Sequence, residues 1–399
     1  MTEVAEAAAL ILARMVPLPS AERPLSETTG AVLRQDVAAE RDQPPFDRVT
    51  MDGIAINYSD WAQGSRRFRV IGTQGAGAPP LRVHEPGECV EIMTGAMLPD
   101  GTDTVIPVER LTREEETVIV EASADVSARQ FVHPQGSDRV AGSRLLSTGR
   151  VIGPAEMAIL ASAGRPHVQV TEPPRIAVIS TGDELVDVGE PIQPYQIRSS
   201  NDRAIEASLV RHCQARVTRV SLRDDPEVIL EAIEKLHGEN DALILSGGVS
   251  MGQYDFVPGV LERLGVELVF HRIEQRPGRP MWFGVSKASK PVFALPGNPV
   301  STLVCLTRYV VPAIKHATGL QPEAIETARL AEAVDFAADL TYFLPVALSW
   351  NEAGAALATP RPTNTSGDFV SLAGTDGFVE LPRGQALYRE GTVARFFRW

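Results

Sequence analysis

"PPRIAVISTGDELVDVGEPIQP", residues 173–194, marks the point where the chain changes character. Pro173-Pro174 forces extended backbone, and "RIAVIS" follows as a continuous apolar strand. "VDVGEPIQP" is too rich in Gly and Pro to be a helix, so a loop comes next, and a helical pattern resumes near Asp202–Cys213. "RVTRVSLR" and "DALILS" read as further strands, with a helical pattern at Pro226–Leu236 between them. A helix at Phe256–Leu264, the strand "PVFALP" and a helix at Pro299–Val311 complete the run. Strands alternating with helices predict a three-layer α/β domain with a largely parallel sheet.

The flanking regions have a different texture. Residues 3–16 form an amphipathic helical pattern that Pro17 and Pro19 end. Between about 30 and 150 come short strand patterns: VLRQDVAAE, GIAINY, RFRVIG, ECVEIM, DTVIPVERL and ETVIVEA. Turn-rich breaks such as "GTQGAGAPP" separate them, so this region is expected to be β-rich. A helix at Pro154–Ala163 has proline in its first turn and Gly164 just past its end. After about residue 325 strand patterns return, which predicts a small all-β domain at the C-terminal end. No internal repeat is visible.

Bulk composition narrows the function. A chain of 399 residues with 44% apolar content can build several cores. A net charge of −13 argues against nucleic acid as the main partner, because phosphate binding needs a basic surface. Cys89, Cys213 and Cys305 stand far apart with no CxxC, which fits a reducing compartment. The seven histidines show no zinc-ligand spacing. The N-terminal stretch lacks a basic leader, and the apolar segment Ala7–Leu12 is too short to span a bilayer. A soluble, cytoplasmic protein is the expectation. Lysine occurs only at 235, 287, 290 and 315, so arginine carries nearly all the positive charge.

In an open α/β sheet, ligands bind beyond the carboxyl ends of the strands. Three such ends carry unusual loops. In "VISTGDEL", Asp183 and Glu184 have no helix to cap, and adjacent carboxylates suit Mg²⁺, which takes one or two carboxylates and keeps several waters. In "LILSGGVSMGQYDF", Ser246, Gly247 and Gly248 leave the strand with freedom for positive φ, and Ser250 extends a loop able to present successive N–H groups to an anion. It lacks the Gly-Lys-Ser/Thr ending of a P-loop. Asp255 reads equally as helix cap or metal ligand. In "FALPGNPVSTLVCL", Asn298 as N-cap and Pro299 at the first helical position explain the sequence locally, while leaving N–H groups available to an anion. Arg272, Arg276 and Arg279 lie around a Pro-Gly turn in "HRIEQRPGRPMWFG" and read as a solvated cluster or an oxyanion clamp. Asp224 and Asp225 precede Pro226, as a helix cap would.

The β-rich region offers further carboxylates. "PPFDRVTMDGIAI", residues 44–56, places Asp52-Gly53, a turn dipeptide, inside a strand-like stretch. Thr94 interrupts the strand in "EIMTGAM", and Asp138 follows glycine and serine in "QGSD". By local chemistry alone all three are turn residues.

Taken in order, PPFD..TMDGIA, IMTGAMLPDGTD, VISTGDELV, QIRSSN, DDPE, SGGVSMGQYDF, RPGRP and LPGNPVS resemble the MoeA-type molybdopterin molybdenumtransferases, the family that includes the E domain of gephyrin. The resemblance runs over almost the whole chain. It implies an N-terminal helix and linker (1–40), an inserted β-rich domain (41–140), a return segment (141–172), an α/β molybdopterin-binding domain related to adenylyltransferases (173–322) and a C-terminal β-barrel (323–399). It implies a homodimer whose cleft joins the α/β domain to the β domain of the second subunit, and other cofactor-biosynthesis proteins, the adenylyltransferase among them, as partners.

The implied reaction delivers molybdate to adenylylated molybdopterin and releases AMP with Mg²⁺. The resemblance assigns Asp52, Thr94, Asp138, Glu184 and Asp224 to catalysis. It assigns Asp183, Glu184 and Asp255 to the metal. Ligand binding falls to Asp183, Ser246, Gly247, Gly248, Ser250, Asp255, Arg272, Arg276, Arg279, Pro296 and Pro299. Two departures stand out. The RPGRP loop has arginines where the family commonly has lysines, so a planar fork replaces a point charge. The family's Arg-x-x-Gly-Glu-Asp reads His133-Pro-Gln-Gly-Ser-Asp138 here. A partner-binding scaffold and a protein that adenylylates or stores the cofactor are the competing readings. Against the first, no appended domain or partner-binding tail is visible; against the second, adenylyltransferases of this type are single α/β domains and this chain is much longer.

Overall fold

The apolar run after Pro174 is a strand, β1 (Arg175–Thr181), inside a six-stranded sheet. The computed structural model describes residues 1–248 and 256–399. From β1 the chain runs through α1 (Asn201–Cys213), β2 (Arg216–Leu222), α2 (Pro226–Glu239), β3 (Ala242–Ser246), α3 (Val257–Arg263), β4 (Glu267–His271), β5 (Trp282–Val285), β6 (Pro291–Leu295) and α4 (Pro299–Cys305). The sheet order is β2-β1-β3-β6-β5-β4. β2, β1, β3 and β6 are parallel, whereas β5 and β4 run antiparallel to the strands beside them.

Helices cover both faces, which is why β3 and β6 are buried at every position and β1 at all but Arg175. Alternate residues feed opposite cores. Ile176, Val178 and Ile244 pack with Ile205 and Leu209 of α1 on one face. Ala177, Ile179, Leu243 and Leu245 pack with Ile229 and Ile233 of α2 and Val260 of α3 on the other. The antiparallel edge is not foreseen from sequence. Exposed Leu268 breaks the apolar run of β4, and arginines and prolines crowd the approach to β5. The last helix differs as well. α4 continues through a π turn (Leu306–Val310) into α5 (Val311–Ala317) rather than stopping at Val311.

The C-terminal strands β7 (Thr327–Leu330), β8 (Thr341–Trp350), β9 (Ala356–Pro360), β10 (Gly377–Leu381) and β11 (Val393–Arg398) pair in the order β8-β9-β7-β11-β10. β10 pairs back onto β8, closing a five-stranded barrel. Leu344, Val346, Ala358, Val379 and Phe396 fill it. Phe343 and Phe378 point the other way, into the core that also holds Tyr309 and Phe293. The barrel and the α/β layers therefore belong to one compact unit, made of residues 1–35, 148–154 and 167–399.

Residues 36–147 and 155–166 form a second unit. Its main sheet has six strands, in the order Thr104–Pro107, Gly53–Ile56, Glu88–Ile92, Arg67–Gln74, Thr117–Val120 and Leu111–Glu114. Ile54, Ile56, Phe68, Cys89, Ile106 and Val118 are its core. The expected strand VLRQDVAAE is broken: Val32 and Leu33 make isolated antiparallel bridges to Val151 and Val170, and Val37–Ala38 pairs with Arg144–Leu146. The multi-domain α/β-plus-β architecture expected from sequence is the one observed. Among the described residues no helix is long and apolar enough to cross a membrane.

Candidate active site

β1, β3 and β6 end side by side, and a cavity of about 720 Å³ opens over their carboxyl ends. Its floor is polar because each apolar run ends in a hydroxyl or a glycine. Ser180 and Thr181 close β1 and are only 2% and 5% exposed, and their hydroxyls have no hydrogen-bond partner among the described residues. Ser180 pairs in register with Ser246 at the end of β3. Buried hydroxyls without partners are costly unless something completes them. Both residues line the cavity.

The loop after β3 crosses Thr181 at close range. Gly247 and Gly248 have φ of +97° and +65°. A Cβ on Gly247 would lie 2.8 Å from the Thr181 carbonyl oxygen, and one on Gly248 3.0 Å from the Thr181 hydroxyl. Glycine is thus required twice over, by conformation and by space. Ser250 and Asp255, which the sequence placed in the same loop, lie outside the described residues.

The loop after β1 returns through Leu185–Val186, paired in parallel with Ile197–Arg198. The Arg198 guanidinium donates to the carbonyls of Asp187 and Glu190, both at 2.6 Å, and holds this loop closed. Glu184 borders the cavity, whereas the neighbouring Asp183 is exposed and not part of the lining. Asn201, first residue of α1, donates from Nδ2 to Ser246 Oγ at 2.9 Å and to the Gly297 carbonyl at 2.8 Å. One side chain so ties together the loops after β3 and β6 and the start of α1. Ser199 Oγ donates to Asp202 Oδ1 at 2.9 Å, and Arg219 meets the other oxygen at 2.7 Å.

Pro296 and Pro299 line the opposite rim. Asn298 occupies the N-cap position of α4, but its side chain does not cap. It donates to Ser366 Oγ at 2.8 Å, while buried Thr302 donates to the Pro296 carbonyl at 2.6 Å. The DDPE segment divides its work. Asp225 caps α2 by accepting from the N–H groups of Glu227 and Val228, and Asp224 lines the cavity.

The three arginines are less convergent than the sequence suggests. Arg272, Arg276 and Arg279 are not lining residues, although Pro280 is. Arg276 and Arg279 are exposed, and Arg279 donates to Met1 Sδ at 3.0 and 3.1 Å. Arg272 adopts a φ of +77°.

In the second unit, Asp52 and Thr94 do meet. Asp52 Oδ1 accepts from the Thr94 N–H at 2.6 Å and from its hydroxyl at 2.7 Å. These two bonds, the backbone one foremost, hold the Asp52 carboxyl below its ordinary range. Gly53 is no turn residue. It opens a strand, and a Cβ there would lie 1.9 Å from the Ile106 carbonyl oxygen. Asp138 pairs with His133 Nε2 at 3.0 Å, and His133 Nδ1 lies 3.2 Å from Arg48.

Sequence reasoning missed Ser180, Thr181, Arg198 and Asn201. The available signal was the recurrence of serine at the end of "RIAVIS" and "DALILS" and the polar run "RSSN". Among the described residues no three His, Cys, Asp or Glu side chains converge as a closed metal cage. Glu184 and Asp224 on the cavity rim match instead the sparse carboxylate set of Mg²⁺, which draws its other ligands from water and substrate phosphates.

Known proteins show the same organisation. The family models of the MoeA N-terminal region (domain I and II), a probable molybdopterin binding domain and the MoeA C-terminal region (domain IV) match residues 2–164, 177–316 and 327–399. A Synechocystis sp. protein named molybdopterin molybdenumtransferase is 40% identical, over 100% of each chain. One of the same name from Staphylococcus aureus (strain MRSA252) is 31% identical, over 97% of this chain and 93% of its own. The crystal structure of the molybdopterin biosynthesis MoeA protein from Pyrococcus horikosii superposes with a TM-score of 0.84 at 32% identity, over 100% of this chain and 99% of that one.

Proposed function

This chain belongs to the MoeA-type molybdopterin molybdenumtransferase family, and from that premise we propose that it inserts molybdate into adenylylated molybdopterin with Mg²⁺-dependent release of AMP. As a transferase of molybdenum cofactor biosynthesis it must hold a phosphoanhydride, neutralise its oxygens and present an oxyanion to the dithiolene. The observation that carries the reading is the cavity itself, with a two-glycine loop over a floor of buried hydroxyls that lack partners among the described residues. Such a floor suits a polar ligand that supplies acceptors, and a glycine loop suits phosphate.

Ser180, Thr181, Ser246, Gly247 and Gly248 then bind the nucleotide–pterin ligand, with Pro296 and Pro299 shaping the far rim. Ser250 and Asp255 join them by family pattern. Asp183, Glu184 and Asp255 would hold Mg²⁺ by the family pattern, and Asp224, which shares the cavity rim with Glu184, would stand beside them as a catalytic acid. The metal supplies positive charge at the phosphate oxygens. Arg272, Arg276 and Arg279 serve the oxyanion. Asp52, Thr94 and Asp138 form the opposing wall, contributed in a homodimer by the second copy. The division into segments 1–40, 41–140, 141–172, 173–322 and 323–399, a cytoplasmic location and an adenylyltransferase as upstream partner belong to the same proposal.

The test supplies adenylylated molybdopterin, Mg²⁺ and molybdate and follows AMP. Release that requires all three is expected. Glu184→Ala should lower kcat by about 100-fold or more while circular dichroism is unchanged. Bound ligand that yields no AMP overturns the reading.

A further inference from the structure

The loop bearing Arg276 and Arg279 stands on a sealed polar network, and we propose that Tyr309, acting through Gln275, is a positioning residue that orders this loop for the oxyanion. The inference rests on the reading of the arginine loop given above.

Gln275, Cys305 and Tyr309 are 0%, 0% and 2% exposed. Gln275 Oε1 accepts from the Tyr309 hydroxyl at 2.5 Å. Its Nε2 donates to the Pro277 carbonyl at 3.0 Å and meets Cys305 Sγ at 3.5 Å, and that thiol reaches the Gly278 carbonyl at 3.5 Å. Two consecutive carbonyls of the loop are therefore held from beneath. Gly278, at φ +90°, sits directly on the network, since a Cβ there would lie 2.6 Å from both Cys305 Sγ and Gln275 Nε2. The Ile273 N–H donates to the Arg279 carbonyl at 2.9 Å and closes the loop from its other side. Pro280 follows at the rim of the cavity.

The helical departure lies at the same place. Tyr309 belongs to the π turn that follows α4, and such turns recur at functional sites. Burial raises the Tyr309 hydroxyl well above its ordinary pKa, so it stays a donor. That donation leaves the Gln275 amide only one orientation in which every group is satisfied. A loop ordered before the ligand arrives binds with less entropy to lose. The Gln275 backbone pairs in parallel with Thr341 of β8, while its side chain bridges the Tyr309 hydroxyl and the Cys305 thiol to the loop's Pro277 carbonyl.

Tyr309→Phe keeps the ring and removes one hydroxyl. We expect the apparent KM for molybdate to rise about tenfold with kcat within about twofold, and the Arg272 and Ile273 backbone amides, which donate to the Met281 and Arg279 carbonyls, to exchange faster with deuterium. Cys305→Ser, which keeps a donor under Gly278, should hold the wild-type KM where Cys305→Ala does not. A lower melting temperature with unchanged KM and unchanged exchange overturns the inference. So does faster exchange with unchanged KM. Arg279→Ala in the same assay separates the two readings. An unchanged molybdate KM there removes the arginines from the oxyanion site, whereas a raised KM alongside a normal Tyr309→Phe enzyme removes Tyr309 alone.

Discussion

Asp52 keeps its charge because one oxygen takes two hydrogen bonds from Thr94. A carboxylate whose folded pKa is depressed stabilises the fold above its unfolded pKa, and that contribution is lost as pH falls through the folded value. Thr94→Val removes the hydroxyl bond and leaves the stronger backbone one. The Asp52 pKa should therefore rise only part of the way to its ordinary value, and the lower edge of that window should move up with it. Titration of the carboxyl ¹³C shift checks this; no movement would mean that the hydroxyl does not act on Asp52. At this scale the sequence was readable where a motif was long. "TMDG" and "IMTG" singled out both residues, but no local rule says that they touch. Asn201 escaped notice for the opposite reason. Its role comes from two carbonyl and hydroxyl oxygens at 246 and 297, far away in sequence.

Elements were legible where their apolar period was clean and obscure where a glycine had two uses. Gly53 looked like a turn because it follows aspartate, yet it lies between two strands that leave no room for a side chain. Gly53→Ala should cost about 3 kcal/mol through forced displacement of the strand carrying Ile106, measured by thermal or urea unfolding of the second unit's core. A change under about 0.5 kcal/mol would show that the sheet yields easily there. β1, β3 and β6 were plain because burial on both faces makes them continuously apolar. β4 was hidden because an edge strand needs only a half-apolar pattern, and β5, though buried from Trp282 to Gly284, is four residues long and follows an arginine loop that reads as surface. Asn298 carries the cap signature, but a competing hydroxyl on Ser366 takes its amide.

For the molecule as a whole, the barrel is joined to the α/β layers by more than apolar packing. Arg308 in the π turn and Glu380 on β10 pair at 2.7 Å with side chains only 7% and 15% exposed. Removing one buried partner strands the other, at about 3–5 kcal/mol, whereas replacing both by apolar residues is close to neutral. Glu380→Leu should destabilise the first unit by that amount, and Arg308→Met with Glu380→Leu should recover most of it; a double variant as weak as the single would assign the pair a different role. Such a pair could not be foreseen, since nothing in "TRYV" or "FVELP" tells which acid meets which base. What was foreseen was the succession of textures along the chain, because layer type follows from local period even when contacts do not.

The path between the two units has a consequence for how this protein can change over generations. The chain leaves the first unit after Gln35 and re-enters at Thr148. On one side of that departure the Gly149 N–H donates to the Leu33 carbonyl at 2.7 Å, and on the other the Ala39 N–H donates to the Ser143 carbonyl at 2.9 Å. Both stumps of the excursion are thus stitched shut locally. The first unit experiences only a short closed bight, whatever length of chain lies beyond, because closure entropy grows slowly with length. Residues 36–147 sit in a port through which a lineage, or an engineer, can exchange cargo without rewriting the rest of the fold, save for the brief return at 155–166.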